Sequence, residues 1–343
     1  MTLITSEVCA GVKLGGFLDT YYAYDFNQPN ERNFTTQPVR HNQPGINLAH
    51  LEGVLKSERF RGRLALQAGD SVIKNTEFEP SVRGKDNFDV KNIQEAYLGY
   101  QLNEKTSIDG GVYLGHIGME SWISKDNPTY TRSLFLDYVP YYAAGLRVEH
   151  LLNEKESLQF HLMNGWQNIA ENNKAKAFGF QYKKKISEDS VFTYNNFLGD
   201  EEVVSPRARF RAYHNFIYQF QLSAEWKMWT GLDIGHQAQQ ENDGLNVWYS
   251  TAITLQHRLT ETDSMSFRME YYNDRHQSNI VTSTRNGFEV IGSSLNFDKQ
   301  IYQNLLWRTE LRGLYAVDEI YPTHSEKLNR WDSFLVSSLS IWF

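Results

Sequence analysis

Hydrophobic and polar side chains alternate with a period of two along most of this chain. In residues 60–68, Phe60, Leu64, Leu66 and Ala68 share one face, and Arg61, Arg63 and Gln67 the other. In residues 95–102, Ala96, Leu98, Tyr100 and Leu102 oppose Glu95, Tyr97, Gly99 and Gln101. Between 207 and 218, Arg207, Arg209, Arg211, Tyr213 and Asn215 point away from Phe210, Ala212, Phe216 and Tyr218. A two-residue period is that of a β-strand with one apolar and one polar face. No Ala/Leu-rich helical stretch interrupts the pattern.

Short polar junctions recur at Lys56–Arg59, Asn103–Thr106, Asn153–Glu156, Ile186–Asp189, Leu222–Glu225, Leu259–Asp263 and Lys299–Asn304. Several are near copies of one another, as in LNEKTS, LNEKES, ISEDS and LTETDS. Longer, irregular segments alternate with them, near 27–45, 72–90, 116–139, 167–175, 199–206, 238–244, 275–287 and 318–330. These hold most of the Pro and many of the Asn and Asp residues, as loops do. Seven turns and eight loops join sixteen strands, the first near 12–26 and the last near 331–343. The rhythm predicts an all-β, antiparallel up-and-down transmembrane barrel with both termini on the short-turn side. Strands nine and fourteen are the least regular, and merging one weak pair would leave fourteen. One barrel domain then spans 12–343, and residues 1–11 form a leader remnant or N-terminal extension.

Composition sharpens this. The chain has 343 residues, 14% of them aromatic, from 8 Trp, 20 Tyr and 20 Phe. Its mean hydropathy is nevertheless polar, −0.55. No stretch lacking Asp, Glu, Lys and Arg exceeds 14 residues (157–170 and 244–257). A membrane helix needs about 20 mainly apolar residues. Only strands could therefore span a bilayer here. Cys9 is the single cysteine, which excludes a disulfide framework or a thiolate metal cluster. The charge balance, 34 basic against 41 acidic residues, is −7 and gives no basic field for nucleic acid. Residues 1–11 lack a basic region and carry Glu7 where a secretion signal would be apolar.

Aromatic residues gather near strand ends, at Tyr21-Tyr22, Tyr141-Tyr142, Trp226/Trp229, Trp248-Tyr249 and Tyr271-Tyr272. Read as outward rings, they would form belts at the two membrane interfaces. The last strand, SFLVSSLSIWF, puts Leu335, Leu339, Ile341 and Phe343 on one outward face and ends on an aromatic residue. Such an end is what outer-membrane barrels present to their assembly machinery, and Phe343 is the candidate signal.

The segments LGGFLDTYYAYDFNQP, YTRSLFLDYVPYYAAGLRVEH and SLSIWF resemble the OmpL-like family of β-barrel porins of the Gram-negative outer membrane. The resemblance runs through most of the chain. It implies an outer-membrane pore acting by passive diffusion, with no cofactor and no catalytic residues to carry over.

If the apolar faces meet lipid, the polar faces line a lumen. Inward parity then selects Arg61, Arg63, Arg147, Lys183, Lys185, Arg207, Arg209, Arg211, Lys227, Arg258, Arg268, Arg308 and Arg312. The inward acids are Asp19, Glu52, Glu95, Asp109, Glu149, Asp233, Glu270 and Glu310. Ions in a narrow pore respond to wall charge, so this set suggests a weak anion lean. Cross-strand pairing, at Arg147/Glu149, Arg268/Glu270 and Arg308/Glu310/Arg312, would cancel it. The ladder Arg207, Arg209 and Arg211 resists local cancellation and is the strongest selectivity candidate. Segment 116–139 mixes Trp122, Leu134, Phe135 and Leu136 with Glu120, Lys125, Asp126, Arg132 and Asp137. Folding inward would bury the first group and constrict the pore with the second. Glycines at 110, 111, 115 and 118 would ease the bend.

No catalytic or nucleotide-binding template is present, and the ten His are scattered. The expected function is passive diffusion of small hydrophilic solutes or ions, and the chain is not expected to be an enzyme. Alternatives are a selective barrel with a sugar, phosphate or dicarboxylate site, a structural or adhesive barrel with a closed lumen, and a soluble β-sandwich. Expected partners are outer-membrane lipid, the barrel-assembly machinery and small solutes, with no nucleic acid. A homotrimer is the common state of general porins with sixteen strands, but no outward face is singled out for it.

Overall fold

The computed structural model of this protein describes residues 11–79, 90–202, 209–239, 244–325 and 327–343. The alternating segments form β1 (Lys13–Asp25), β2 (Pro44–Lys56), β3 (Phe60–Ala68), β4 (Ile93–Asn103), β5 (Thr106–Leu114) and β6 (Tyr142–Asn153). They continue as β7 (Glu156–Met163), β8 (Ala177–Ser187), β9 (Ser190–Asp200), β10 (Phe210–Gln221), β11 (Trp226–Ala238) and β12 (Leu245–Arg258). The set ends with β13 (Asp263–Asp274), β14 (Phe288–Tyr302), β15 (Leu305–Ala316) and β18 (Trp331–Trp342). Two short strands, β16 (Tyr321–Pro322) and β17 (Leu328–Asn329), pair with each other in the last long loop. The helices are brief: α1 (Asp70–Asn75) and α2 (Leu134–Asp137).

Consecutive barrel strands pair antiparallel, and β18 pairs with both β15 and β1, closing sixteen strands into a ring. Closure leaves no edge. A sheet in hydrocarbon requires this, because unpaired backbone groups there cannot find water. All seven predicted turns fall at strand junctions, and the repeated Asn-Glu-Lys sequence has a local cause. Asn103 Oδ1 accepts from Lys105 N, and Asn153 Oδ1 from Lys155 N, each at 2.9 Å. An Asn side chain folding back on the backbone two residues on is a turn former.

The alternation places Leu98, Leu232, Ile253, Phe267, Leu295, Leu311 and Leu335 outside, all exposed. Polar and charged residues on the opposite parity are buried inside. Leu311→Arg, midway along β15, should therefore cost about 2–4 kcal/mol in a bilayer, measurable by reversible urea unfolding into liposomes. A neutral result would deny that this face meets lipid.

The aromatic doublets behave differently from a simple belt. Adjacent strand residues point to opposite faces. Tyr22, Trp226 and Tyr249 are outside, whereas Tyr21, Trp248 and Tyr272 are buried within the barrel. Tyr141 and Tyr142 are both buried. The interior rings form a cluster beneath the long loops: Tyr138 lies 5.5 Å from both Tyr272 and Phe288, and Trp166 lies 5.1 Å from Tyr213. At the other end, Phe343 completes the seam. Its N–H donates to Gly16 O at 3.2 Å, Gly16 N donates to Phe343 O at 3.3 Å, and its ring occupies the space a side chain at Gly16 would need.

Candidate functional site: the lumen and its inserted loop

Segment 116–139 lies inside the barrel. Gly115 N donates to Tyr141 O at 2.8 Å, so the two ends of the segment leave the sheet side by side. Gly118 adopts φ +106, and a side chain there would strike Leu136. The loop then crosses to the wall made by β13, β14, β15 and β1. Ser124 Oγ donates to Asp19 Oδ2 at 2.8 Å. Thr131 donates twice to Glu310, from N at 2.6 Å and from Oγ1 at 2.7 Å. Leu134 N donates to Glu270 Oε2 at 2.6 Å.

Three arginines hold the loop backbone. Arg268 donates to Thr131 O at 2.7 Å, Arg308 to Ser124 O at 2.5 Å and Asn127 O at 2.8 Å, and Arg312 to Arg132 O at 2.9 Å. Each is also ion-paired. Arg308 meets Asp298 at 2.7 Å, Arg312 meets Glu270 at 2.7 Å, and Arg268 meets Glu310 at 3.3 Å. Arg268 further faces Glu120 and Glu270, each at 3.6 Å. This corrects the pore-lining expectation for Arg268, Arg308 and Arg312. They face inward, but all three are sealed beneath the loop they anchor.

The opposite wall keeps contact with water. Arg61 and Arg147 share Asp109, at 2.6 Å each, and Arg63 bridges Glu52 at 2.6 Å and Glu95 at 2.7 Å. Arg147 thus pairs with Asp109 rather than with Glu149. Glu95 and Asp109 are themselves buried, while Arg61, Arg63 and Arg147 are partly exposed. Of the proposed ladder, Arg207 lies outside the described residues. Arg209 precedes the first residue of β10, where its N–H donates to Asp200 Oδ1 at 2.7 Å. Arg211 is buried, its guanidinium 4.8 Å from the Trp166 ring and 5.3 Å from the Trp248 ring.

Within the loop, Glu120, Arg132 and Asp137 are enclosed and Lys125 and Asp126 reach water as a 2.6 Å pair. Burial pushes the Glu120 carboxyl above its ordinary range, opposed by Arg268 and by Ser133, whose N–H and hydroxyl donate to it. Burial also takes His116 down to about 4, against its hydrogen bond with Asn196 O.

Parity reasoning missed Asp25, Asp274, Asp298 and Asp332, which face inward and are buried. They bring inward acids nearly level with the bases. It also missed that segment 26–43 enters the lumen. Arg32 pairs with Asp25 at 2.7 Å and Asp332 at 3.0 Å, Thr36 Oγ1 donates to Asp137 at 2.6 Å, and Gln37 Nε2 donates to Tyr130 O at 2.7 Å. Their Asn/Pro-rich context reads as an ordinary exposed loop.

Among the described residues, open space lies at both ends of the barrel. A space of about 300 Å³ lies at the short-turn end beside Lys125, Lys227, Gln256 and Arg258. Another, of about 600 Å³, lies among the long loops. Every barrel strand contributes an inward residue that is buried, from Asp19 on β1 through His161 on β7 and Asp233 on β11 to Val336 on β18.

A closed, even-stranded barrel with an apolar coat, a polar interior, short turns at one end and long loops at the other is an outer-membrane pore architecture. The family described as "Putative beta-barrel porin-2, OmpL-like" matches residues 11–341, and the chain belongs to it. It is a porin-type barrel of the bacterial outer membrane. No curated protein matches the sequence. Among solved structures, an anion-selective porin from Comamonas acidovorans superposes with a TM-score of 0.64 at 9% identity, over 97% of this chain and 99% of that one. The outer membrane channel DcaP of Acinetobacter baumannii gives 0.63 at 11% identity, over 99% of each chain. The trimer form of OmpT of Vibrio cholerae gives 0.62 at 8% identity, over 97% and 99%. At these identities the likeness is one of fold.

Proposed function

We propose that ions and small hydrophilic solutes diffuse passively through this porin, at a rate set by segment 116–139 as a constriction loop. The observation that carries this reading is the grip of Arg268, Arg308 and Arg312 on the loop backbone. A sixteen-stranded barrel without an inserted segment would enclose an aqueous channel. A loop held this way makes the passage narrow.

The reading includes a weak anion lean. Among the described inward positions that reach water, Lys183, Lys227 and Arg258 have no ion-pair partner, against one such acid, Glu149. These cations sit towards the short-turn end of the lumen. The reversal potential across a KCl gradient tests the lean, and a cation-favouring value would refute it. The same reading assigns the protein no catalytic activity, no cofactor and no nucleic-acid partner.

A structural or adhesive barrel with a closed lumen is the second reading, favoured by the buried inward residue that every barrel strand contributes. A folded protein that carries no current would decide for it.

Outer-membrane lipid is the partner of the exposed apolar coat. A homotrimer would place β14, β15 and β18 at its contacts, where Ser293, Thr309, Gly313, Ser333 and Ser337 interrupt that coat on outward positions. Phe343 serves as the assembly signal for the barrel-assembly machinery. Deleting it should lower the yield of heat-modifiable barrel in cells while sparing refolding into detergent. Equal yields in cells would contradict this role.

A further inference from the structure

Among the described residues, one cation on the lining of the long-loop cavity has no ion-pair partner. Its volume, about 600 Å³, falls within the roughly 300–1,000 Å³ of small-molecule sites. Four charged side chains on its lining are occupied by other partners. Lys74 pairs with Glu77 at 3.0 Å and with Glu31 at 3.5 Å. Glu79 accepts from Tyr142 OH at 2.8 Å and from Ile169 N and Ala170 N at 2.9 Å. Asp137 accepts from Thr36 and Tyr141 and faces Arg132 at 3.4 Å.

Arg211 is different. It is 7% exposed, its hydrogen bonds go to neutral oxygens, and its guanidinium lies against the Trp166 and Trp248 rings. Nε and Nη2 donate to Gln237 Oε1 at 3.0 and 2.7 Å, and Nη2 also donates to Ser278 O at 3.1 Å. Nη1 makes no hydrogen bond among the described residues. No carboxylate there lies within ion-pair distance. Glu201 and Asp274 act on Arg211 only from further off, Glu201 with both its oxygens 3.1 Å from Trp166 N and Asp274 accepting from Ser278 N, Asn279 N and Ile280 N. A charge removed from water without a counter-ion is costly, and a ligand anion would offset that cost. Around it, Phe34, Tyr138, Val139, Trp166 and Ile280 make apolar wall. A small, strongly hydrated anion would leave that wall unmatched.

We propose that this cavity binds an organic acid with a compact apolar or aromatic body, its carboxylate on Arg211 and its body against Trp166 and Phe34. Its use in selecting solutes rests on the porin reading, whereas occupancy itself does not.

The test is a tryptophan-fluorescence titration of the full chain, folded in detergent, with benzoate as the probe. Inorganic phosphate and neutral benzyl alcohol serve as comparisons. Saturable quenching by benzoate alone is expected, and Arg211→Gln should weaken it roughly tenfold or more, as loss of a charged hydrogen bond does. Should that variant fail to fold, Phe34→Ala tests the wall and should weaken benzoate severalfold. The inference is overturned by absence of saturation, by equal binding of benzyl alcohol or phosphate, or by wild-type affinity in whichever variant folds. Planar-bilayer current without benzoate is recorded alongside. Current without benzoate binding would overturn this inference alone, and binding without current would overturn the porin reading alone.

Discussion

Excising residues 119–136 and joining the flanks with a short linker should raise single-channel conductance severalfold. The sheet does not need the loop to close, because β5 and β6 pair directly along their length and continue to the Gly115–Tyr141 hydrogen bond. The uncovered Arg268, Arg308 and Arg312 would retain Glu310, Asp298 and Glu270 as partners. The lumen would then widen towards the aqueous channel that sixteen strands enclose. Unchanged conductance would show that the loop is not the barrier. The same loop gives a pH dependence with a definite sign. Burial raises the folded-state pKa of Glu120 above the ordinary 4.5. Such a group favours the buried arrangement fully below 4.5, and this contribution is lost as pH rises through the folded value. Through this group the loop is seated more firmly at pH 4.5 than at higher pH. Conductance should increase as pH rises above 4.5, and Glu120→Gln should flatten that increase.

The largest loss of stability is expected from Arg268→Ala. This guanidinium is fully enclosed and faces Glu120, Glu270 and Glu310 within 3.6 Å, while also holding Thr129 and Thr131. Removing it leaves three buried carboxylates crowded together with one fewer cation. Breaking a buried ion pair by deleting one partner costs about 3–5 kcal/mol. The unfolding midpoint in urea should fall accordingly. Lys125→Ala breaks the exposed pair with Asp126 instead and should cost at most about 1 kcal/mol. Comparable effects of the two variants would contradict the buried anchoring of the loop.

The contrast between these two sites shows what could be read in the chain. Period-two alternation and the copied Asn-Glu-Lys turns reveal strands, pairing order and closure, because each is a local property. Inward orientation of Arg268, Arg308 and Arg312 was legible for the same reason. Their burial was not, because parity says which face a residue occupies and not what covers it. The cover comes from residues 124–134, more than 130 positions away in sequence from the arginines of β13 and β15. Trp122, Leu134, Phe135 and Leu136 did signal a segment in need of burial. Asp25 and Asp332, at strand ends beside long loops, gave no such sign until Arg32 was seen between them. The doublets Tyr21-Tyr22 and Trp248-Tyr249 carried their answer in parity, since one ring of each pair must point inward.

The most direct test of the porin reading is the single-channel current of the folded, unaltered chain in planar bilayers across a range of KCl concentrations. Small, discrete steps, lower than those of the loop-excised barrel, are the predicted result. No steps at any salt concentration from protein shown to be folded would contradict it.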